Sequence, residues 1–427
     1  MKRIVTGALA LALLATAAPA LADIKIGAVV SETGPASSLG DPEAKTIRMM
    51  VEELNAKGGI KGEKAKLVLY DDGGDPSKAK TFATRLVEDD GVVAMVGGTT
   101  TGTSLAILAV AEESKVPFIS LAGAIEIIDP VKPFTFKTPH TDRMACQKIF
   151  DDMKARGLTK IGLISGTDGF GASMRAQCIA VAKTSGIEIV ADETYGPKDA
   201  DMTPQLTNIR NKPGIQAVLN TGFGQGPATI TRNYAQLGIT LPLYQSHGVA
   251  SNAFIELSGA KNAEGVRLPG TALLVGELLD PKDPQKPVVL AYKASFEKAA
   301  NAPVSTFGGY AHDAMRILTE ALNKAPSAKP AAIRDAIEGT TGLVGTTGTY
   351  NYSKTDHLGL DLSAFRMLEI SNGGWKLVKY TQLCCTSSAA RVAADHKPPP
   401  PGQRPAARRG TLPHSVRRPA GATRPPL

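Results

Sequence analysis

Short runs of β-branched residues alternate with stretches of helical periodicity along the first third of the chain. Ile24–Val30 predicts a strand, and the apolar spacing after it predicts a helix from about Pro42 to Asn55. Further strands are predicted at Leu67–Tyr70, Val92–Val96 and Val116–Ser120, with helical spacing between them. Because strands and helices alternate, the pattern favours an α/β fold in which helices cover both faces of a parallel sheet.

A second series of the same kind begins near Thr141. It predicts strands at Lys160–Ile164, Ile187–Ala191 and Ala217–Asn220, again separated by helices. Helical spacing then returns over residues 288–338. A chain of 427 residues with two such series is expected to form two α/β domains.

The pattern changes twice towards the end of the chain. Residues Gly348 to Lys379 predict short antiparallel strands, with Gly373-Gly374 as a hairpin turn. From Cys384 to Leu427 the apolar periodicity ends, and Arg, Ala and Pro dominate. This tail is predicted to be disordered. It is either a basic interaction arm or, as we favour, a functionless appendage.

The N-terminus has the three parts of an export signal. Lys2 and Arg3 precede an apolar run from Ile4 to Leu14, and small residues lead to an A-x-A site that ends at Ala22. The apolar run is shorter than the ~20 residues that span a bilayer. We therefore expect the mature protein to begin at Asp23 and to work in the periplasm.

The net charge of +8 does not describe the folded part of the chain. Eight basic residues and one acidic residue lie between Cys384 and Leu427, and Lys2 and Arg3 lie in the predicted signal. The body between them is close to neutral, so nothing in it favours nucleic acid as a partner.

The cysteines leave one question open. Cys146 and Cys178 are the only pair inside the predicted folded region, whereas Cys384 and Cys385 lie in the tail. Because export would permit a disulfide, the first pair is either bonded or present as two thiols.

No arrangement typical of catalysis, a metal or a cofactor is found in the sequence. There is no G-x-S-x-G and no H-E-x-x-H. Gly222–Gly226 imitates a dinucleotide loop, but Pro227 stands where the last glycine would be needed. Asp71–Asp75 lacks the spacing of a calcium loop. We therefore predict no enzyme activity, no metal and no cofactor.

The best candidate for chemistry is the segment Thr99–Ser104, which joins the end of a strand to the start of a helix. Backbone N–H groups at such a helix start favour an anion, and the hydroxyl groups add neutral donors. Ordinary helix capping explains the same residues equally well. Ser120–Ala124 follows the neighbouring strand, so both loops are expected to meet at one crevice.

Several short motifs of the chain occur together in one protein family. They are Ile24–Val30, Ser31–Pro35, Gly40-Asp41, Asn55–Gly62, Tyr70–Asp72, Pro117–Ser120, Gly169–Gly171 and Ser246–Val249. With these motifs the chain resembles the type I periplasmic solute-binding proteins of the branched-chain amino acid ABC transporter family, and the resemblance covers roughly residues 23–380.

The resemblance implies two α/β lobes, each a parallel-sheet sandwich, joined by three crossovers and closing on a ligand like a hinge. It implies that Thr101 and the backbone near Ser120 to Ala124 hold a ligand carboxylate. The ligand-binding residues predicted in this way are Leu39, Thr100, Thr101, Thr103, Ser120, Ala122, Gly123, Phe170, Phe223 and His247. The predicted division is a signal peptide at 1–22, a first lobe at 23–141 plus 271–345, a second lobe at 142–270 plus 346–380, and the tail at 384–427.

One departure from the family pattern affects the expected ligand. Amino-acid-binding members place an acid for the ligand ammonium in the loop that holds His247 here. A buried ammonium without a carboxylate is costly, whereas an imidazole suits a carboxylate, keto or phenolic oxygen. We therefore expect an aromatic or keto acid ahead of a branched-chain amino acid, with a ligand-sensing module as a further alternative. The expected partners are a small carboxylate and the membrane permease of an ABC importer, and a monomer is expected.

Overall fold

The computed structural model describes residues 23–379 of the chain. The predicted signal peptide and the predicted tail lie outside these residues, so both stay predictions. Within residues 23–379, no helix is both long enough and apolar enough to cross a membrane.

Strands and helices alternate through most of the described chain. The strands are β1 (Ile24–Val30), β2 (Ala65–Asp71), β3 (Ala94–Gly97), β4 (Phe118–Ser120), β5 (Thr135–Lys137), β6 (Lys160–Gly166), β7 (Glu188–Tyr195), β8 (Ala217–Thr221), β9 (Leu243–Gln245), β10 (Arg267–Gly270), β11 (Leu343–Val344), β12 (Thr349–Tyr350), β13 (Arg366–Ser371) and β14 (Gly374–Leu377). The α-helices are α1 (Ser37–Ala56), α2 (Pro76–Glu88), α3 (Thr101–Ser114), α4 (Asp142–Ala155), α5 (Gly169–Ser185), α6 (Thr203–Arg210), α7 (Gln225–Gln236), α8 (Asn252–Ser258), α9 (Ala260–Ala263), α10 (Gln285–Ala300), α11 (Thr306–Lys324) and α12 (Pro330–Glu338). Single 3-10 turns lie at Ile125–Ile127, His247–Val249 and Leu362–Ala364, and a longer 3-10 segment, Ala272–Leu278, is kinked at Val275.

The strands form two separate large sheets. The first has the order β2-β1-β3-β4-β5 and is parallel throughout. The second has the order β14-β13-β10-β9-β8-β6-β7, and it is parallel from β10 to β7 and antiparallel across β10, β13 and β14. The two predicted βα series therefore form two sheets, with helices covering their faces.

The chain leaves the first sheet for the second later than the sequence predicts. The predicted second lobe resumes at Thr346, but Tyr350, Tyr352 and Leu358 are buried in the apolar cluster of the first sheet. Tyr350 Oη donates to Thr138 O at 2.8 Å and Tyr352 Oη donates to Lys137 O at 2.9 Å. These hydrogen bonds fasten the segment beside β5, and the chain joins the second sheet only at β13. The other lobe boundaries stay predictions.

Helix α1 begins earlier than the sequence predicts. A start at Pro42 suits the preference of proline for the first helical turn, but the helix begins at Ser37 and contains Pro42. Gly40 permits this start because a methyl group there would lie 2.1 Å from Ser31 O, at the end of β1. The added turn matters for function because it places Leu39 on a helix rather than in a loop.

The predicted hairpin is confirmed, with its turn one residue earlier. Strands β13 and β14 are antiparallel, and Ser371 pairs with Gly374. The two turn residues are therefore Asn372 and Gly373, which have φ angles of +52° and +72°. A two-residue turn with positive φ at both positions matches the twist of a hairpin, and Asn-Gly is the favoured pair for it.

Trp375, the only tryptophan in the sequence, lies on this hairpin. Its indole is half-buried and its Nε1 donates to Asn252 Oδ1 at 2.8 Å. The ring packs against the apolar cluster beneath the second sheet and also against a separate cluster built around α10, to which α1 contributes Met49. Trp375 therefore lies between the apolar cluster of the second sheet and the apolar cluster around α10.

Cys146 on α4 and Cys178 on α5 form a disulfide, which settles the question that the sequence left open. The bond links two neighbouring helices and closes a loop with a sequence separation of 32 residues. We expect the free energy of unfolding of the Cys146→Ala, Cys178→Ala double variant to be about 2–4 kcal/mol lower, since the crosslink restricts the unfolded chain. Denaturant unfolding of both proteins measures this difference. Equal midpoints and slopes would show that the crosslink adds no stability.

Candidate functional site

A cavity lies at the carboxyl ends of strands from both sheets. It encloses about 370 Å³ of space, including its opening to solvent. Its walls come from the segments that follow β3, β4, β5, β6, β8 and β9, together with the beginnings of α1 and α11. The lining residues are Leu39, Thr99, Thr100, Thr101, Leu121, Ala122, Gly123, Pro139, Phe170, Phe223, His247, Gly248, Phe307 and Tyr310. Crevices of this kind are the usual ligand sites of α/β sheets.

The start of α3 forms one wall of the cavity and leaves donors free. Thr100 and Thr103 bind each other's backbone N–H in a capping box. The first backbone bond of the helix comes from Ser104 N to Thr100 O, at 2.8 Å. The amides of Thr101 and Gly102 therefore belong to the unbonded N–H groups of a helix start. Thr101 Oγ1 is also buried with no hydrogen-bond partner among the described residues.

Thr99 also lines the cavity, but its hydroxyl is already used. Its Oγ1 accepts from Ser31 N at 2.9 Å and donates to Glu43 Oε2 at 2.5 Å. Burial raises the pKa of Glu43 well above its usual range. The Thr99 hydroxyl therefore already has two partners, whereas the Thr101 hydroxyl has none among the described residues and is open to a ligand.

The loop after β4 closes the cavity from the first sheet. Ser120 Oγ is turned away from the cavity, because it is hydrogen-bonded to Ser104 Oγ at 2.7 Å and accepts from Ala122 N at 3.2 Å. Gly123 approaches the opposite wall closely. A methyl group there would lie 2.8 Å from His247 Nε2 and 2.9 Å from Phe170 Cε2. Only glycine leaves both rings in place.

Aromatic rings form the wall from the second sheet. Asp168 caps α5 by accepting from the amides of Phe170 and Gly171, which fixes Phe170 at the helix start. The Phe170 ring meets Phe223 edge-on at a centroid distance of 6.2 Å and His247 edge-on at 5.3 Å. Edge-to-face contacts at such distances are favourable, so the three rings support one another.

His247 is buried and neutral. Ser246 fixes its loop by donating to Gly222 O at 2.6 Å and accepting from Gly248 N at 3.1 Å. Neither ring nitrogen of His247 has a hydrogen-bond partner among the described residues. Burial, with a smaller effect from the charge of Lys137, lowers the pKa of His247 to about 3. At neutral pH the imidazole therefore offers one donor and one acceptor and no charge.

A comparison with protein families identifies the fold. A family model described as "Periplasmic binding protein" matches residues 23–374. The chain belongs to the periplasmic binding protein family. The predicted resemblance to branched-chain amino acid binders and the predicted two-lobed α/β fold are both confirmed. The family is one of solute-binding proteins rather than enzymes, and its name implies a periplasmic location.

Relatives and solved structures agree with this membership. A Leu/Ile/Val-binding protein homolog from Brucella melitensis is 26% identical over 348 residues, covering 80% of this chain and 90% of the relative. A second homolog, from Brucella abortus, is 28% identical over 359 residues, covering 79% and 86%. The crystal structure of an extracellular ligand-binding receptor from Rhodopseudomonas palustris HaA2 has a TM-score of 0.78 and 29% identity, covering 84% of this chain and all of that one.

This periplasmic binding protein brings most of the predicted site residues together on the cavity. Of the predicted set, only Thr103 and Ser120 do not line it, because the first completes the capping box and the second bonds to Ser104. The residues that sequence reasoning missed are Thr99, Leu121, Pro139, Gly248, Phe307 and Tyr310. Their roles in ligand binding, like those of the predicted residues, stay predictions.

Charged side chains are absent from the cavity lining of this periplasmic binding protein. No Asp, Glu, Lys or Arg is among the residues that line it, and Tyr310 and His247 are its only titratable side chains. Across residues 23–379, no group of three or more His, Cys, Asp or Glu side chains is placed to hold a metal ion. The cavity is therefore suited to a ligand with an apolar body and one or two polar ends.

Proposed function

We propose that this periplasmic binding protein captures a small aromatic or keto carboxylic acid in the cavity between its sheets and delivers it to the permease of an ABC importer. The observation that carries the proposal is the lining, which has free donors at Thr101 and no acidic side chain. We also propose that the protein works as a monomer in the periplasm.

The absence of an acid from the lining supports a ligand without an α-ammonium group. A buried ammonium that loses its water needs a carboxylate or several acceptors in return. The free acceptors of the lining are all neutral, namely the His247 ring and the hydroxyls of Thr101 and Tyr310, and Glu43 is hydrogen-bonded to Thr99 outside the lining. An ammonium would therefore find no carboxylate to balance its charge in this cavity.

The carboxylate and the body of the proposed ligand both find partners. The hydroxyl of Thr101 and the free amides at the start of α3 suit a carboxylate, which the helix dipole also favours. Phe170, Phe223 and Phe307 offer apolar and aromatic surface for a flat ring. A keto or phenolic oxygen would use His247.

The relatives favour a second candidate ligand. The Brucella proteins are named as Leu/Ile/Val-binding homologs, so a branched-chain amino acid is the alternative for this chain. The apolar lining would accept such a side chain, and the two candidates differ mainly in what holds the α-ammonium.

A binding screen separates these candidates. We expect benzoate or phenylpyruvate to raise the melting temperature more than leucine, isoleucine or valine, because binding at 100 times Kd stabilises the folded state by ~2.7 kcal/mol. Thermal shift gives the ranking and titration calorimetry gives the affinities. Recovering the ligand unchanged after incubation distinguishes binding from turnover. Tight binding of leucine without any response to the aromatic or keto acids would contradict the proposal and show that the ligand is a branched-chain amino acid.

A further inference from the structure

A lysine is buried directly behind the loop that closes the cavity. Lys137 is the last residue of β5 and its side chain is completely buried. Its Nζ donates to Gly123 O at 2.9 Å, to Ala124 O at 3.3 Å and to His140 O at 3.3 Å. The ammonium group is thus held by carbonyl oxygens, and one of them belongs to a residue that lines the cavity.

The charge of Lys137 reaches the cavity. Gly123 is in close contact with the His247 ring on one side and accepts from Lys137 on the other. In agreement with this arrangement, the positive charge of Lys137 contributes to the low pKa of His247. Because His247, Gly123 and Thr101 line the same cavity, a positive charge that disfavours a proton on His247 also favours an anion in that cavity.

Two acidic groups lie near Lys137. Asp142, at the start of α4, and Glu126, in the 3-10 turn after β4, both interact electrostatically with it. Ser173 on α5 contacts both carboxyl groups, donating to Glu126 Oε2 at 2.6 Å and lying close to Asp142 Oδ2. The pKa of His247 nevertheless responds to Lys137, and neither carboxyl group is among the charges that shift it.

We propose that Lys137 supplies the positive charge that holds a carboxylate in the cavity, acting through the Gly123–Ala124 loop without touching the ligand. The proposal rests on the proposed function, since it concerns how that site binds an anion. It answers a difficulty of the site, because the lining itself carries no cation for a buried carboxylate. Lys137 is in this sense a positioning residue that also sets the local potential.

The unmodified protein gives the first test through its pH dependence. Burial lowers the pKa of Lys137 to about 7, despite the opposing effect of Asp142 and Glu126. A bound carboxylate favours the charged amine and so raises this pKa. The affinity for an anion should therefore be level just below pH 7 and fall by up to tenfold per pH unit above it.

Benzoate and its neutral isostere benzamide make the matched pair for titration calorimetry between pH 6.5 and pH 8.5. This window lies above the pKa of about 6 to which burial raises Asp142 and far above that of His247, so neither group dominates the slope. We expect the benzoate affinity to fall and the benzamide affinity to stay level. A level benzoate profile would overturn the proposal.

A variant gives the second test. Lys137→Met removes the charge and keeps the length of the side chain, so we expect benzoate affinity at pH 6.5 to fall about 10–100-fold and its pH slope to vanish. Benzamide affinity should change less than twofold. Lys132→Met removes a surface charge from the segment before β5 and should change neither affinity. Equal losses for benzoate and benzamide would show that Lys137 only shapes the loop and would overturn the proposal.

The outcomes separate this proposal from the proposed function. If leucine binds and the aromatic acids do not, the ligand class is wrong, and the same pH profile with leucine decides the role of Lys137. If benzoate binds with no dependence on pH or on Lys137, the ligand class stands and the role of Lys137 is wrong. A protein that binds no carboxylate overturns both.

Discussion

Replacing His247 with Glu is expected to reverse the ligand preference of the cavity. The new carboxylate would meet a ligand ammonium in a buried place, where a charge-assisted hydrogen bond is worth about 1.5–3 kcal/mol. This free energy corresponds to an affinity ratio of about 10–100, so leucine should bind that much more tightly to the variant than to the unmodified protein. Benzoate and phenylpyruvate should bind more weakly, because a second negative charge would lie in the same buried cavity as their own. Titration calorimetry with leucine, benzoate and phenylpyruvate measures both changes.

The control is His247→Gln, which keeps a neutral polar group of similar size. It should weaken binding of a keto acid without improving leucine, because an amide gives an ammonium no charge. Circular dichroism and melting curves verify that all three proteins fold alike. If the Glu variant leaves the order of the ligands unchanged, His247 does not lie at the end of the cavity that selects between them.

Replacing Thr101 with Val is expected to weaken carboxylate binding about 10–100-fold, since it removes one hydrogen bond of about 1.5–3 kcal/mol to a charged group. Valine keeps the shape of the side chain, and the Thr101 hydroxyl has no partner within the described residues. The fold should therefore lose little stability. Calorimetric titration of benzoate gives the affinity, and thermal unfolding without ligand gives the stability.

Two further variants serve as controls for this prediction. Thr101→Ser keeps the hydroxyl and should retain most of the affinity. Thr81→Val makes the same substitution on α2, where the hydroxyl donates to Ser77 O at 3.0 Å outside the cavity, and should leave binding unchanged. An unaltered affinity in Thr101→Val would mean that the carboxylate lies elsewhere.

The alternation of strands and helices could be predicted because it depends on local periodicity. The strand Ile24–Val30 and the hairpin of β13 and β14 follow their patterns closely. The start of α1 could not be predicted, because it depends on how Gly40 fits beneath Ser31 rather than on the preference of Pro42. Such close approaches are decided by tertiary packing and leave little trace in the local sequence.

The candidate site was predictable where a residue follows a strand of the sheet. Thr101, Phe170 and His247 lie in such positions and line the cavity. Phe307 and Tyr310 were missed because they lie on α11, whose apolar periodicity looks like that of any core helix. Ser120 and Thr103 were included because a polar residue in a loop gives no sign of whether it serves a ligand or its own backbone.

Because Trp375 packs against two apolar clusters, the contact between these clusters can be followed by tryptophan fluorescence. Trp375 is the only tryptophan of the chain, and it can be excited at wavelengths where tyrosine does not absorb. The emission therefore comes from one position in the protein. It is not among the residues that line the cavity, so a ligand cannot quench it by direct contact there. A change of emission on adding ligand would instead record a shift between the second sheet and the helices around α10. Trp375 would thus serve as an intrinsic fluorescent reporter of the hinge closure that the family resemblance implies, with no need for an attached dye.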